Sequence, residues 1–317
     1  MKTILIAGAG QLGSRHLQGA KMSRNELDIW VYDLSLESLK VAEERYNQIS
    51  SDIFKKVHFV TSLDEVPQTI DVAIVASSSK PRYIIVTQIL LSHEVKYLVL
   101  EKFLFPRLSD YAEIEKLLKE KKVMTWVNCP RRMLDGYVYI KSLIDTSKPI
   151  DFSYEGGEWG MCCNTIHFAD IFMFLNGEDT FVCNIDQLEH EVVDSKRAGY
   201  VELHGTEIFT TPKGSTLRLS SMPDKECDAL AVIKNGKLTV EYYEGKGEVY
   251  VNGEKKEFSV QYQSSLTGLM LDYLFASGNC NLSTYAKSSA YHIEYLSKIA
   301  PFINKIKGWT TDSCPIT

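Results

Sequence analysis

Apolar residues along the first 125 positions fall into two alternating rhythms. Short β-rich runs stand at 3–7 (TILIA), 28–32 (DIWVY), 57–61, 71–76 (DVAIVA), 97–100 and 123–127. Between them the spacing is helical. Positions 11–22 carry Leu12, His16, Leu17 and Ala20 at that spacing, and 36–48 form a second such stretch. A third is opened by Pro81 and runs to about His93, and a fourth, 109–121, has Ile114, Leu117 and Leu118 on one side. Pro81 suits a first helical turn, where its missing N–H costs nothing. Strands that alternate with helices of this length predict parallel pairing and a doubly wound sheet.

After about residue 150 the rhythm changes. Positions 133–145 and 164–175 read as helices, the second stopped by Gly177. From 181 to 263 the chain is mostly β-like. Asn235-Gly236 and Asn252-Gly253 are its hairpin signals, because a type I′ turn needs positive φ at both central residues. Segments 264–276 and 284–306 close the chain as helices. A run of strands followed by helices predicts an α+β domain with a large, mostly antiparallel open sheet. The expected fold class is α/β: a doubly wound parallel domain over 1–125, then an α+β domain for substrate and oligomer contacts over 126–317.

Composition agrees with this division and removes several classes of function. A chain of 317 residues is long enough for two cores. With 44% apolar and 24% charged residues it has the make-up of an ordinary globular protein. A net charge of −6 disfavours nonspecific binding to nucleic acid or to anionic membranes. No apolar run approaches the roughly 20 residues that span a bilayer. The start, MKTILIAGAG, is broken by glycines and reads as a first strand, not as a secretory signal. The seven cysteines (129, 162, 163, 183, 227, 280, 314) are odd in number and lack CxxC spacing. Neither a disulfide framework nor a metal site is expected from them, and a reducing, cytoplasmic setting is the simplest account.

The most specific local signal is Gly8-Ala9-Gly10-Gln11-Leu12-Gly13, which fits GxGxxG. It follows the first strand directly and opens the 11–22 helix, and Asp33 closes the second strand 20 residues beyond Gly13. In such a turn Gly8 permits the tight bend, Gly10 lets the backbone approach a pyrophosphate, and Gly13 allows close helix–strand packing. The phosphates would meet the free N–H groups and the positive end of the helix dipole. Asp33 would accept from the adenosine ribose hydroxyls and repel a 2′-phosphate. No arginine follows it at once, so NAD is favoured over NADP. The alternative is a glycine turn that binds another ligand, or a flavin.

In open parallel sheets ligands sit beyond the carboxyl ends of the strands. Ser77 and Ser78 follow DVAIVA at one such end, and Glu101-Lys102 stand at another, inside YLVLEKFLFP. A Glu-Lys pair at a strand end is ordinarily solvated charge; at this end of this sheet it becomes a candidate for the cofactor cleft. A second group, Asn164, His167 and Asp170, lies three residues apart on one side of a helix. Histidine exchanges a proton near neutral pH, although a lone one is more often a core hydrogen-bonding residue. Asn128 and the basic pair Arg131-Arg132 follow the last strand of the first domain, and the arginines could bind a carboxylate or phosphate or be solvated. Trp159 precedes the His167 helix and is either a pocket wall or an apolar loop residue.

With GAGQLG, Asp33, DVAIVASSS, VLEKF and NTIHFAD in this order, the chain resembles the Gfo/Idh/MocA family (glucose–fructose oxidoreductase, inositol dehydrogenase and relatives). The resemblance covers essentially the whole chain. It implies an amino-terminal Rossmann domain with Gly8, Gly10, Gln11, Leu12, Gly13, Asp33, Ser77, Ser78, Glu101 and Lys102 at the NAD. It also implies Lys102 and His167 as catalytic residues, and Asn128, Arg131, Arg132, Trp159, Asn164, His167 and Asp170 around a sugar-like substrate. Relatives usually carry proline where Phe103 stands, and commonly an aspartate where Cys163 stands. The implied activity is hydride transfer between nicotinamide and a hydroxyl or keto carbon, without a metal. The two arginines tilt the substrate toward an acidic or nucleotide-linked sugar. The expected assembly is a homodimer or homotetramer through the open sheet. Two alternatives remain: a dinucleotide-binding regulator without catalysis, and an enzyme that uses tightly held NAD for transient oxidation.

Overall fold

The computed structural model describes residues 1–225 and 229–317, with only the backbone at 263 and 264; Cys227 lies outside the described residues. The expected alternation appears as β1 (Lys2–Ala7), α1 (Gln11–Lys21), β2 (Leu27–Tyr32), α2 (Leu36–Asn47), β3 (Lys55–Val60), β4 (Thr69–Val75), α3 (Ser79–Ser92), β5 (Glu94–Glu101), α4 (Leu108–Lys121) and β6 (Met124–Asn128). These strands pair in the order β3-β2-β1-β4-β5-β6, every pair parallel. The order reverses between β1 and β4, which places the topological switch point at their carboxyl ends. Burial explains the apolar runs: Ile4–Ala7, Val72–Val75 and Leu98–Leu100 are wholly enclosed, as expected of strands covered on both faces.

The second region begins with α5 (Asp135–Leu143), β7 (Asp151–Gly156) and α6 (Met161–Asn176). It continues with β8 (Val182–Leu188), the short β9 (Val193–Asp194) and β10 (Val201–Glu202), β11 (Gly205–Thr210), β12 (Thr216–Ser221), β13 (Leu230–Asn235), β14 (Leu238–Tyr243), β15 (Glu248–Val251) and β16 (Glu254–Glu257). Eight of these strands form one sheet in the order β8-β11-β12-β7-β13-β14-β15-β16, antiparallel except for the β7–β12 pair. β7 has no counterpart in the sequence expectation. Its apolar alternation consists only of Phe152 and Tyr154, yet it runs inside the sheet with a partner on each side.

Two local expectations meet different outcomes. At Asn252-Gly253 both central residues have positive φ, 49° and 88°, as a type I′ hairpin requires. At the other hairpin Asn235 is still paired, with Leu238, so the turn is Gly236-Lys237, one residue later than expected. There Gly236 alone has positive φ.

After β16 come α7 (Gln263–Ser277), β17 (Ser283–Thr284) and α8 (Tyr285–Lys307). The chain divides into one unit of Met1–Phe105, Ser109–Pro130 and Gln261–Tyr285, and another of Pro106–Leu108, Arg131–Val260 and Ala286–Thr317. Residues 126–130 and the α7 segment thus fall with the parallel sheet, unlike the division expected at 125. Packing gives the reason. α7 buries Leu266, Met270, Leu271 and Leu274 and crosses α1 closely. At Gly268 a Cβ would stand 2.6 Å from the Gly19 carbonyl oxygen. β17 pairs antiparallel with β6. Among the described residues no helix is long and apolar enough to cross a membrane.

Candidate active site

The glycine turn joins β1 to α1 as its spacing predicts. Gly8 has φ +100°, and a Cβ there would lie 2.8 Å from the Ser77 nitrogen. A Cβ on Gly13 would overlap the Gly8 carbonyl oxygen at 1.7 Å, so the third glycine is required for the helix to start so close to the strand. Gly10 is exposed, and nothing lies within 4 Å of where its Cβ would be. That is the open approach a pyrophosphate needs. The first N–H groups of a helix lack intrahelical acceptors, and Gly10, as N-cap of α1, offers no side chain to cover them. Gln11 is exposed and Leu12 half-buried at this end.

Asp33 is half-buried at the end of β2 and is bound to this turn. Its Oδ2 accepts from the Ala9 N–H at 2.7 Å and its Oδ1 from the Ser35 N–H at 2.9 Å. A carboxylate has about four lone-pair sites, so ribose hydroxyls can still donate to it. Ser77 and Ser78 lie after β4 beside the switch point, and Ser78 is the N-cap of α3. These features fit a dinucleotide: Gly8, Gly10 and Gly13 shape an open turn at the start of α1, and Asp33 is fixed beside it.

At the end of β5, Glu101 is 2% exposed and Lys102 8% exposed. Neither is a strand end that has simply reached water. Glu101 Oε1 meets His16 Nε2 at 2.8 Å and accepts from the Asn128 amide at 2.6 Å. His16 Nδ1 in turn meets the Thr267 hydroxyl of α7 at 2.9 Å. Burial would push the Glu101 carboxyl up, but the hydrogen bond and charge of His16, the Asn128 amide and the charge of Arg82 together hold it below the usual value. Glu101 and Asn128 are therefore brought together inside the unit, and Glu101 is bound by protein groups at its carboxylate. Beyond Lys102 the peptide to Phe103 is cis. Arg82, 1% exposed on α3, donates to the carbonyls of Phe103, Leu104 and Ser77.

Neither His16 nor Arg82 is expected as a site residue from the sequence. His16 left a signal: it is the one polar member of the buried face of α1 named there. Arg82 left none, since an arginine one residue after Pro81 looks like a solvated helix start.

In the second unit α6 carries the histidine group. Gly160, with φ +71°, is the N-cap and has no side chain to cap with. The carboxylate of Glu202 on β10 does so, accepting from the N–H groups of Cys162 and Cys163 at 2.8 and 3.2 Å. Asn164 donates to the carbonyls of Trp159 and Gly160, closing the loop before the helix. Trp159 and Asn164 share the wall of a cavity of about 330 Å³ with Cys163, Lys196 and His204. His167, Arg131, Arg132 and Asp170 do not line it. His167 is half-buried on α6. Asp170, fully buried, takes a two-pronged contact from Arg132, 2.8 Å from Nε and 3.0 Å from Nη2. Arg131 Nε lies 3.1 Å from both oxygens of Glu244, which also accepts from the Tyr137 hydroxyl. Burial works against the Arg131 cation, but Glu244 outweighs it and raises its pKa above the ordinary value. Each guanidinium also faces an aromatic ring, Arg131 that of Phe168 and Arg132 that of Phe174. Both arginines are thus engaged within the unit.

Beneath α6, Glu207 on β11 is fully buried and accepts from Thr165 and Tyr295, both at 2.7 Å. Burial pushes it up to about 7, against those hydroxyls and with the help of nearby Glu202. Burial and the charges of Glu202 and Glu207 raise the Cys162 thiol well above its ordinary value, so it stays protonated and unreactive. The six described cysteines form no disulfide. Among the described residues no cluster of three or more His, Cys, Asp or Glu side chains is arranged for a metal.

Residues 2–129 match the family model of the Gfo/Idh/MocA oxidoreductases, described as an NAD-binding Rossmann fold. No curated protein sequence matches the chain. Among solved structures, an oxidoreductase from Agrobacterium radiobacter in complex with NAD+, L-tartaric acid and magnesium is 13% identical, with a TM-score of 0.72 over 97% of this chain and 99% of that one. The UDP-N-acetylglucosamine 3-dehydrogenase of Acidithiobacillus ferrooxidans is 11% identical, with a TM-score of 0.72 over 96% and 98%. The dehydrogenase MviM of Clostridium difficile is 14% identical, with a TM-score of 0.70 over 95% and 99%. At such identities the likeness is one of fold.

Proposed function

From an amino-terminal domain, residues 2–129, that belongs to the NAD-binding Gfo/Idh/MocA oxidoreductases, we propose a dehydrogenase or reductase that interconverts a hydroxyl and a keto carbon of a sugar-like substrate. NAD supplies the hydride acceptor or donor when bound at the glycine turn. The observation that carries the reading is Lys102, placed just past β5 at the carboxyl end of the parallel sheet, on the strand beside β4 of the switch point. In the reduction direction its ammonium stabilises negative charge developing on the carbonyl oxygen and donates the proton that makes it a hydroxyl; in the oxidation direction the neutral amine takes that proton. Within the second unit, His167 on α6 is a second candidate for proton exchange.

One structural neighbour is bound to L-tartaric acid and another is a UDP-N-acetylglucosamine 3-dehydrogenase, which supports a polyhydroxylated substrate. An acidic substrate draws less support from Arg131 and Arg132, because each already meets a carboxylate of its own unit. The test is Lys102→Met, with NAD reduction followed against a panel of polyols, sugars and sugar acids. Turnover is expected to fall by about 10²–10⁴-fold while NAD still binds. A wild-type rate would sink the assignment.

A further inference from the structure

Lys102 stands between two pieces of backbone that are fixed by different means. On its amino-terminal side Glu101 is the last paired residue of β5, opposite Asn128, and its carboxylate is held by His16 and Asn128. On its carboxyl-terminal side the strand has ended. There the carbonyls of Phe103 and Leu104 accept from Nη1 of Arg82, the second at 3.0 Å, while Nη2 donates to Ser77 in the loop after β4. We propose that Arg82 is a positioning residue for Lys102: it takes the place of the missing sheet partner after β5 and fixes the direction in which Lys102 leaves the strand.

An apolar residue would fill the same space at lower cost. The other buried positions along α3 include Val86, Ile89 and Leu90, and a guanidinium among them loses its hydration. Two features offset that loss. Three backbone carbonyls accept from one planar fork, which presents several donors in fixed directions. The carboxylate of Glu101 is near enough for its charge and that of Arg82 to act on each other. The residues on either side of Lys102 are thereby tied into one compensated group. By also holding Ser77, Arg82 sets the loop after β4 against the loop after β5, at the edge where ligands of open parallel sheets bind.

The inference rests on Lys102 being the acid–base residue, and the experiment separates the two. Acetic anhydride, a small neutral reagent, acylates each lysine at a rate set by its exposure and pKa. Peptide mass spectrometry across a pH series gives a rate and a midpoint for Lys102. In Arg82→Met the Lys102 rate is expected to change about tenfold, the equivalent of about 1.4 kcal/mol, with a displaced midpoint. Lys40 on α2 and Lys121 on α4 keep their wild-type profiles. Arg82→Lys moves Lys102 less and in the same direction, because its single nitrogen cannot stand at the positions of both Nη1 and Nη2. If Arg82→Met does not fold, Arg82→Lys decides alone. A wild-type rate and midpoint for Lys102 in either folded variant overturns the proposal. Wild-type turnover in Lys102→Met would overturn the functional reading instead and leave the labelling result standing.

Discussion

Glu101 in the first unit and Glu207 in the second are buried to the same degree, and each carboxyl has two hydrogen-bond partners. Their protonation differs. Around Glu101 stand a histidine, an amide and the charge of Arg82, which together hold it below the usual carboxylate range despite its burial. Around Glu207 stand two neutral hydroxyls and the like charge of Glu202, and burial carries it up to about 7. Hydrogen counting supports the same distinction. Thr165 Oγ1 has one hydrogen but lies within reach of both the Met161 carbonyl and Glu207. A protonated Glu207 donates to Thr165, which is then free to donate to Met161. An ionised Glu207 takes that hydrogen for itself. The degree of burial is thus shared, and the charge of the neighbours decides which carboxyl stays ionised.

Glu101→Gln is the strongest way to break this contrast. It removes the charge that balances Arg82 and is expected to destabilise the protein by about 3–5 kcal/mol in denaturant melts, whereas Glu207→Gln near pH 7 should cost far less. Equal losses would mean that the two sites are electrostatically alike. The pH dependence follows with opposite signs. Between the ordinary value of 4.5 and about 7 the folded chain holds a proton on Glu207 that the unfolded chain has released. Its contribution is therefore full below 4.5 and is lost as pH rises to about 7. The stability of Glu207→Gln relative to wild type should rise across that window by roughly 3 kcal/mol, and a flat difference would refute it. Glu101, held low, contributes above 4.5 and loses that contribution as pH falls further, so Glu101→Gln should flatten the acid side of the curve. The smallest effect is expected of Tyr295→Phe, which deletes one neutral donor to Glu207. It should cost about 1 kcal/mol and move the Glu207 window upward; a downward move would contradict the account.

The contrast between the two glutamates also marks how far the sequence could be read. The alternation of strands and helices, the glycine turn with Asp33, and Lys102 at a strand end were legible because each depends on residues near one another in the chain. Asn252-Gly253 was legible for the same reason, while the Asn235-Gly236 turn moved by one residue because cross-strand pairing took Asn235 into the ladder. β7 escaped because a strand flanked on both sides needs only its buried side chains to be apolar, and six residues carry too little pattern to announce it. Arg131 and Arg132 read as charges on offer, but Glu244 and Asp170, 113 and 38 residues away, had already met them.

By itself, then, the sequence determined the parallel domain, the cofactor turn and the position of Lys102. Period, turn chemistry and strand ends are properties of consecutive residues. Only the tertiary structure decided what surrounds them: that α7 returns to cover α1, that His16 and Asn128 hold Glu101, that Arg82 binds the chain at Phe103 and Leu104, and that burial lifts Glu207 to about 7. Each of those depends on groups brought together from distant parts of the chain, and in a buried site the charge and geometry of such neighbours outweigh anything the residue carries alone.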